Sequence, residues 1–427
     1  MHLSPPLVPL SETSIFEQLE SEVRTYCRSF PAVFRRAKGA ELYDESGRRY
    51  IDFFCGAATL NYGHNNDAIK AALVDYLMRD EIIHALDCHT SGKRSFLERF
   101  AEIILVPRRL DYKVQFCGPT GTNAVEAALK LARKVTGRTG VFAFSGAFHG
   151  MSMGSLSVSS GWTTRAAAGV PLAHTTFFPY PAGPQGAFDT LELLARTLED
   201  PYSGVEPPAA VILETVQLEG GVYAASREFL IGLRELTQRH GILMIIDDIQ
   251  IGCGRSGKFF SFEQAGIVPD LVTLSKSISG YGMPMALLLM RRDLDRWQPG
   301  EHTGTFRGFQ LALVAASAAL DFWRDDHLES AVASHSNSMF TMLQGTLEAR
   351  ESDVAVRGRG LALGIDFTHA GGPARAQRVQ QDCFTRGLIV ERCGRRDEVV
   401  KVLPPLTIEP ALLAEGCNIL LDSIRHS

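Results

Sequence analysis

The sequence predicts an α/β fold in which a large domain has a mainly parallel sheet between layers of helices, next to a smaller α+β domain. Short, continuously apolar segments recur through the middle of the chain, as in strands that are buried on both faces. Helical patterns alternate with these segments, which favours parallel strands joined by helical crossovers. Beyond about residue 319 a long helix pattern and a few short strand patterns replace this alternation.

The first part of the chain predicts a helix followed by a hairpin. Residues 14–30 form the helix candidate, and residues 41–53 read as two strands joined by a turn at 44–47. Residues 1–10 contain prolines and lack a cationic start, so we do not expect a secretory signal peptide.

The middle and the end of the chain supply the remaining elements. The clearest helix is 122–135, whose alanines and leucines keep a helical spacing. Strands are predicted in the middle of the chain at 113–117, 141–144, 209–214, 242–247, 271–274 and 286–290, and near its end at 360–367, 388–390 and 399–403. We expect a segment at 1–65 that joins the small domain and contributes dimer contacts, a large domain at 66–318 and a small domain at 319–427.

Composition excludes several classes of function. The net charge of −5 leaves no basic footprint for nucleic acid or an anionic membrane. The eight cysteines are scattered without a Cys-x-x-Cys pair, which argues for reduced thiols and against a zinc site or a disulfide scaffold. No apolar run reaches the roughly 20 residues that a membrane span needs. We therefore expect a soluble cytoplasmic protein without a metal.

Two charged residues at the ends of apolar strands are the most informative in the chain. Lys276 follows the strand candidate 271–274, and Asp247 ends the candidate 242–247. A pyridoxal phosphate (PLP) enzyme needs such a pair, because the lysine amine forms a Schiff base with the cofactor and the carboxylate keeps the pyridine nitrogen protonated. The neighbouring Asp248 is an equally placed acid. The alternative is a solvated loop lysine and an ordinary strand-end aspartate.

Two small-residue turns are candidate phosphate sites. Residues 117–126 read as a strand, a glycine-bearing turn and a helix start, where backbone N–H groups and the hydroxyls of Thr120 and Thr122 would bind a phosphate. The alternative is an ordinary helix cap. The segment 301–308 is a second hydroxyl-rich turn, and a partner subunit could supply it.

Two further segments carry candidate contacts to a planar ring. Phe148 and His149 lie on a turn after a strand, where the phenyl ring would stack on a cofactor, although packing alone is the alternative. Ile249 lies on the same side of an extended segment as Asp247 and would cover the ring. Gln250 would reach a ring oxygen.

Taken in this order, the segments resemble the class III (ornithine/ω-amino acid) aminotransferases, PLP enzymes of fold type I, over about residues 30–410. The resemblance implies a seven-stranded type of sheet in the large domain and a small domain built from both chain termini. It also implies a homodimer with shared active sites, in which Thr305 binds the phosphate of the neighbouring subunit. By match to the family pattern the cofactor contacts are Lys276 (Schiff base), Asp247 (ring nitrogen), Ile249 and Phe148 (ring faces), Gln250 (ring hydroxyl), Gly121 and Thr122 (phosphate), with Thr120, His149 and Glu214 beside them.

The substrate residues depart from the family pattern. Glu219 matches an acid that often acts as a gate beside an arginine that binds the substrate carboxylate. This chain has Lys401 in place of that arginine, and lysine lacks the bidentate geometry of a guanidinium. Arg307 stands where relatives often have glycine. Our hypothesis is that Arg307 or Lys401 takes over part of the carboxylate binding; the alternative for Arg307 is a surface or interface salt bridge.

Within the class, residues 57–64, 275–282 and 304–308 look most like the diaminobutyrate–2-oxoglutarate aminotransferases. This resemblance implies ping-pong transfer of an amino group between L-glutamate/2-oxoglutarate and L-aspartate 4-semialdehyde, giving L-2,4-diaminobutyrate. Phe309 and Gln310 stand where we would expect asparagines. The alternatives are another ω-aminotransferase (acetylornithine, 4-aminobutyrate or a secondary-metabolite aldehyde), a PLP aminomutase or racemase, and a catalytically silent homologue.

Overall fold

The computed structural model describes residues 14–184, 188–348, 351 and 353–427, so residues 1–10 considered above lie outside it. The predicted helix over 14–30 is wrong, because the chain forms two short helices, α1 (Ser14–Leu19) and α2 (Tyr26–Ser29), with a non-helical stretch between them. In that stretch Arg24 donates to the Ser21 carbonyl (3.0 Å) and Arg28 donates to the Glu22 carbonyl (3.1 Å). Side chains thus satisfy backbone acceptors that a continuous helix would have bonded.

The predicted hairpin is confirmed and belongs to an antiparallel sheet. Its strands are β2 (Glu41–Asp44) and β3 (Arg49–Asp52), and the turn between them has Gly47 at φ +85°. A strand that the sequence did not predict, β1 (Phe34–Lys38), pairs with β2. Its charged, half-exposed side chains are typical of an edge strand, which lacks an apolar run. The helices that follow are α3 (Cys55–Ala58), α4 (Asp67–Met78) and α5 (Ser91–Arg99), which continues as a π-helix over Phe100–Leu105.

The central sheet has seven strands, and each of the six predicted in the middle of the chain is present within two residues of its expected ends. They are β4 (Tyr112–Phe116), β5 (Val141–Phe144), β6 (Thr175–Phe178), β7 (Ala210–Leu213), β10 (Leu243–Asp247), β11 (Leu271–Leu274) and β12 (Leu287–Arg291), in the order β4-β12-β11-β10-β7-β5-β6. Only β12 runs antiparallel to its neighbours. The unpredicted strand is β6, a half-exposed edge strand that begins with two threonines. A short hairpin, β8 (Val216–Gln217) and β9 (Tyr223–Ala224), follows β7.

Helices cover the central sheet, and the predicted helix over 122–135 is confirmed within one residue at each end. This helix, α6 (Gly121–Thr136), buries its alanines and leucines against the strands and ends at Gly137, whose φ is +70°. The others in this part of the chain are α7 (Met153–Val158), α8 (Trp162–Ala166), α9 (Thr190–Glu199), α10 (Arg227–Arg239) and α11 (Gln310–Ala319). Apolar side chains lie on both faces of the sheet.

The last part of the chain forms an α+β unit, as predicted. Its elements are α12 (His327–Glu348), β13 (Ala355–Arg359), β14 (Ala362–Asp366), α13 (Gly372–Thr385), β15 (Leu388–Ile389), β16 (Glu391–Cys393), β17 (Val399–Val402) and α14 (Pro410–Arg425). Strands β13, β14, β17 and β16 form an antiparallel sheet, whereas β15 pairs in parallel with β3 and so joins the two ends of the chain. The predicted strand over 360–367 starts two residues late because Gly360 (φ +60°) makes the turn from β13. The domain boundaries at 65/66 and 318/319 stay a prediction.

Two general expectations can be compared with the described residues. All eight cysteines lie among them and carry free thiols, six of them buried. Within the same ranges, every helix is too short or too polar to cross a bilayer.

Candidate active site

Lys276 and Asp247 line one cavity at the carboxyl ends of β10 and β11. These strands are parallel neighbours, and Asp247 lies opposite Thr273, three residues before Lys276. The cavity has a volume of about 160 Å³. Lys276 has a φ of +52°, in the left-handed region that a side-chain-bearing residue seldom occupies. Such backbone strain is typical of functional sites.

The environment of Lys276 favours its neutral amine. Burial lowers the pKa of Lys276, and the nearby Lys401 ammonium lowers it further, while Glu219 and Asp247 oppose the shift. A lysine must be neutral to act as a nucleophile or as a base.

Asp247 is held by three hydrogen bonds. It accepts from the backbone N–H of Ile249 (3.1 Å) and from Thr273 Oγ1 (3.1 Å), and its second oxygen lies 2.7 Å from His149 Nδ1. His149 is itself buried, and its Nε2 has no hydrogen-bond partner. These contacts orient the carboxylate, and the His149 ring lies against its second oxygen.

The alternative acid, Asp248, lies on the other side of the strand. It accepts from the backbone N–H of Ser261 (3.0 Å), and it does not line the cavity with Lys276. Burial raises the pKa of Asp248 to about 7. Geometry therefore separates the two acids that the residues alone left equivalent.

The start of α6 forms one end of the cavity. Gly121 and Thr122 line it, and Thr120 makes no side-chain cap to the helix, which leaves the first N–H groups of α6 available. A Cβ on Gly121 would lie 2.9 Å from Ile249 Cδ1, so only glycine allows this close approach. Thr120 itself is exposed and does not line the cavity.

A hydroxyl network that sequence reasoning missed supports Thr122. Thr122 Oγ1 lies 2.7 Å from Ser152 Oγ, which donates to Glu126 Oε1 (2.6 Å). The same Glu126 oxygen accepts from the Gly154 N–H (2.8 Å). The spacing of Thr122 and Glu126, one turn apart on α6, was the available signal.

The residues predicted to contact the cofactor ring lie on the side walls of the cavity. Ile249, Phe148, His149 and Gln250 all line it. The backbone N–H of Phe148 donates to Glu214 Oε1 (3.0 Å). Burial raises the pKa of Glu214 well above its usual value, and the neighbouring Asp247 charge adds to the shift.

The cavity has the groups that PLP requires. A free helix N-terminus suits a phosphate, a buried amine on strained backbone suits an aldehyde, and an oriented carboxylate suits a pyridine nitrogen. Ile249, close to Gly121, gives the cavity an apolar wall beside the start of α6. We conclude that the residues present fit this cofactor.

Beside the cavity lies a buried ion triad of Glu219, Lys401 and Glu391. Gln250 Nε2 donates to Glu219 Oε1 (2.9 Å), and Lys401 Nζ donates to the same oxygen (2.6 Å). Lys401 Nζ also lies 2.9 Å from Glu391 Oε2. The two carboxylates raise the pKa of Lys401 against the opposing effect of its burial. Glu391 was not predicted, and Lys401 does not line the Lys276 cavity.

Thr305 and Arg307 lie away from the Lys276 cavity of their own chain. The Thr305 carbonyl accepts from His84 Nε2 (3.0 Å). Arg307 forms an ion pair with Asp87 (2.6 Å) and lines a separate cavity of about 530 Å³.

The chain is similar to known proteins over nearly its whole length. The Aminotransferase class-III family profile matches residues 24–424. A diaminobutyrate–2-oxoglutarate transaminase of Streptomyces anulatus is 53% identical over 428 residues, covering 100% of both chains. One from Halalkalibacterium halodurans is 52% identical over 416 residues, covering 97% of each chain. The crystal structure of a PLP-bound amine transaminase from an uncultivated Pseudomonas species is 26% identical, with a TM-score of 0.83, over 96% of this chain and 98% of that one.

Proposed function

Because the chain belongs to the class III aminotransferases, PLP-dependent enzymes of fold type I, we propose that it is a diaminobutyrate–2-oxoglutarate aminotransferase. It moves an amino group between L-glutamate/2-oxoglutarate and the terminal carbon of L-aspartate 4-semialdehyde, whose amination gives L-2,4-diaminobutyrate. The amino donor and the acceptor use the same site in turn.

This proposal rests on one combination: similarity to named relatives over nearly the whole chain, together with an intact pair of site residues, Lys276 and Asp247. Relatives at 52% and 53% identity span essentially the whole chain, and both have this activity by name. In this chain Lys276 and Asp247 line one cavity with the start of α6. A relative that had lost catalysis would have no reason to retain strained backbone at a buried lysine.

Each residue has a defined part in the proposed reaction. When bound, PLP supplies a protonated ring that withdraws electrons from the substrate carbon. Lys276 Nζ would hold the cofactor in the resting enzyme, and as a neutral amine it would take the proton from that carbon. Asp247, oriented by His149 and Thr273, keeps the ring nitrogen protonated. Gly121 and Thr122 would bind the phosphate, and Ile249 and Phe148 would cover the ring.

We further propose a cytoplasmic homodimer whose subunits share active sites. Thr305 and Arg307 lie off the cavity of their own chain, as expected for residues that serve a partner. Beside Thr305 the side chains of Phe306, Ile82 and Leu86 are exposed, and an apolar surface of this kind suits burial in an interface. Sedimentation analysis of the PLP-loaded protein tests the dimer.

A substrate panel followed by absorption spectroscopy tests the activity. We expect the visible band of bound PLP to disappear when either L-2,4-diaminobutyrate or L-glutamate is added, and to persist with ornithine or 4-aminobutyrate. Lys276→Ala should lose the response, whereas Lys258→Ala, a change at an exposed lysine paired with Glu329, should keep it. Bleaching by ornithine or 4-aminobutyrate instead would retain the aminotransferase and refute the diaminobutyrate assignment.

A further inference from the structure

Glu126, on α6, holds the first turn of α7 from outside that helix. Its Oε1 accepts from the backbone N–H groups of Gly154 (2.8 Å) and Ser155 (3.1 Å). The same oxygen accepts from Ser152 Oγ (2.6 Å), although Ser152 is the N-cap residue of α7 and makes no side-chain cap to its own helix. One carboxylate oxygen of α6 therefore supplies the cap that α7 lacks.

The first turn of α7 in turn surrounds the hydroxyl of Thr122. Thr122 Oγ1 accepts from the Ser152 N–H (3.2 Å), lies 2.7 Å from Ser152 Oγ and contacts Ser155 Oγ. Thr122 lines the Lys276 cavity, whereas the two serines stand outside the residues that line it. The direction in which the Thr122 hydroxyl faces the cavity therefore depends on where α7 begins.

Two glycines leave the space that this arrangement needs. A Cβ at Gly154 would overlap Glu126 Oε2, although the helical backbone at that position has no positive φ. Gly150 has a φ of +126°, and a Cβ there would lie 2.5 Å from Thr122 Oγ1. A side chain at either position would displace the Glu126 carboxylate or the Thr122 hydroxyl.

We propose that Glu126 is a positioning residue for the cofactor phosphate, because it fixes the start of α7 and, through Ser152, aims the Thr122 hydroxyl at the phosphate. The inference rests on the proposed function, in which Thr122 binds that phosphate, and it gives a part to a carboxylate that does not touch the cofactor. A negative charge near a phosphate by itself opposes binding. Positioning and simple charge repulsion therefore predict opposite effects when Glu126 is removed.

Titration of the apoprotein with two forms of the cofactor tests the assignment. Pyridoxal has the ring and the aldehyde of PLP but lacks the phosphate. Glu126→Ala should raise Kd for PLP at least about tenfold and leave Kd for pyridoxal unchanged. Glu126→Gln should keep the wild-type Kd for PLP, since its amide oxygen can accept the same three hydrogen bonds.

Gly154→Ala perturbs the same carboxylate from the other side. Alanine is a better helix former than glycine, so this variant should fold even if Glu126→Ala does not. Its Cβ displaces the carboxylate, and Kd for PLP should rise while Kd for pyridoxal does not. In the Glu126→Ala background the change should have no further effect, because the group that it displaces is gone.

The remaining outcomes distinguish this role from others. Glu192→Ala, a change at an exposed helical glutamate paired with Arg196, should leave both Kd values unchanged. Equal rises in Kd for PLP and pyridoxal would indicate a general loss of structure and overturn the proposal. A lower Kd for PLP in Glu126→Ala, or an unchanged one in Gly154→Ala, would also overturn it. A wild-type apoprotein that does not bind PLP would instead refute the proposed function.

Discussion

The contact between Gly121 and Ile249 gives the sharpest test that the start of α6 is the cofactor phosphate site. A Cβ added at position 121 would lie 2.9 Å from Ile249 Cδ1 and 3.2 Å from Ile249 Cγ2, whereas ordinary contacts begin at 3.4 Å. The Ile249 side chain must therefore move by about half an ångström. Because Ile249 lines the cavity, Gly121→Ala forces this movement where PLP binds.

The expected cost falls mainly on binding, because in the apoprotein Ile249 can move into the cavity that PLP would fill. Overpacking by one methyl group costs about 1–3 kcal/mol, and the lower part of that range applies because Cδ1 is the end of a flexible side chain. About 1.4 kcal/mol corresponds to a roughly tenfold higher Kd for PLP. Position 121 is helical and has no positive φ, so alanine should not lower the melting temperature of the apoprotein.

Titration of the apoprotein with PLP, followed by the visible band, measures this effect. Ile249→Val removes the Cδ1 atom, so the double variant Gly121→Ala/Ile249→Val should recover most of the lost affinity, though not all, because Cγ2 remains close. Gly345→Ala is the matched control, since this helical glycine of α12 has no atom within 4 Å of an added Cβ. An unchanged Kd in Gly121→Ala would refute the placement of the cofactor against α6.

Three further predictions address the charged groups. Asp247→Asn should lower kcat at least about a hundredfold while PLP is retained. Single-turnover kinetics measures the loss of rate, and titration of the visible PLP band measures retention of the cofactor. At least one of Arg307→Ala and Lys401→Ala should raise KM for glutamate, and unchanged values in both would contradict a role in carboxylate binding. Burial raises the pKa of Asp248 to about 7, above its unfolded value, so this residue favours the folded state less as pH rises from about 4 to about 7. Asp248→Asn should therefore unfold at higher urea concentration than wild type at pH 8, and not at pH 4.

The pair of Lys276 and Asp247 was predictable because each follows a continuously apolar strand. Carboxyl ends of parallel strands meet at one edge of the sheet, and β10 and β11 are successive in the chain. The choice between Asp247 and Asp248 was not predictable from the residues alone. Neighbouring residues at a strand end point to opposite sides, so the outcome depends on register, and in this sheet Asp247 pairs with Thr273 of β11.

Edge strands account for most of the missed secondary structure. Strand β1 is charged and half exposed, and β6 begins with threonines at the end of the central sheet. A strand with one free edge needs no unbroken apolar run, so hydrophobic periodicity does not reveal it. The same reasoning applies to β13, whose pattern contains two arginines.

The sequence indicates the buried charge of Lys401 but does not reveal its partner Glu391. Lys401 stands in the apolar run of β17, which already indicates a buried ammonium that needs a carboxylate. Its first partner, Glu219, lies 182 residues away, and its second, Glu391, meets it only through the pairing of β16 with β17. One carboxylate neutralises the lysine, and burial raises the pKa of the second, Glu391, which favours its neutral form.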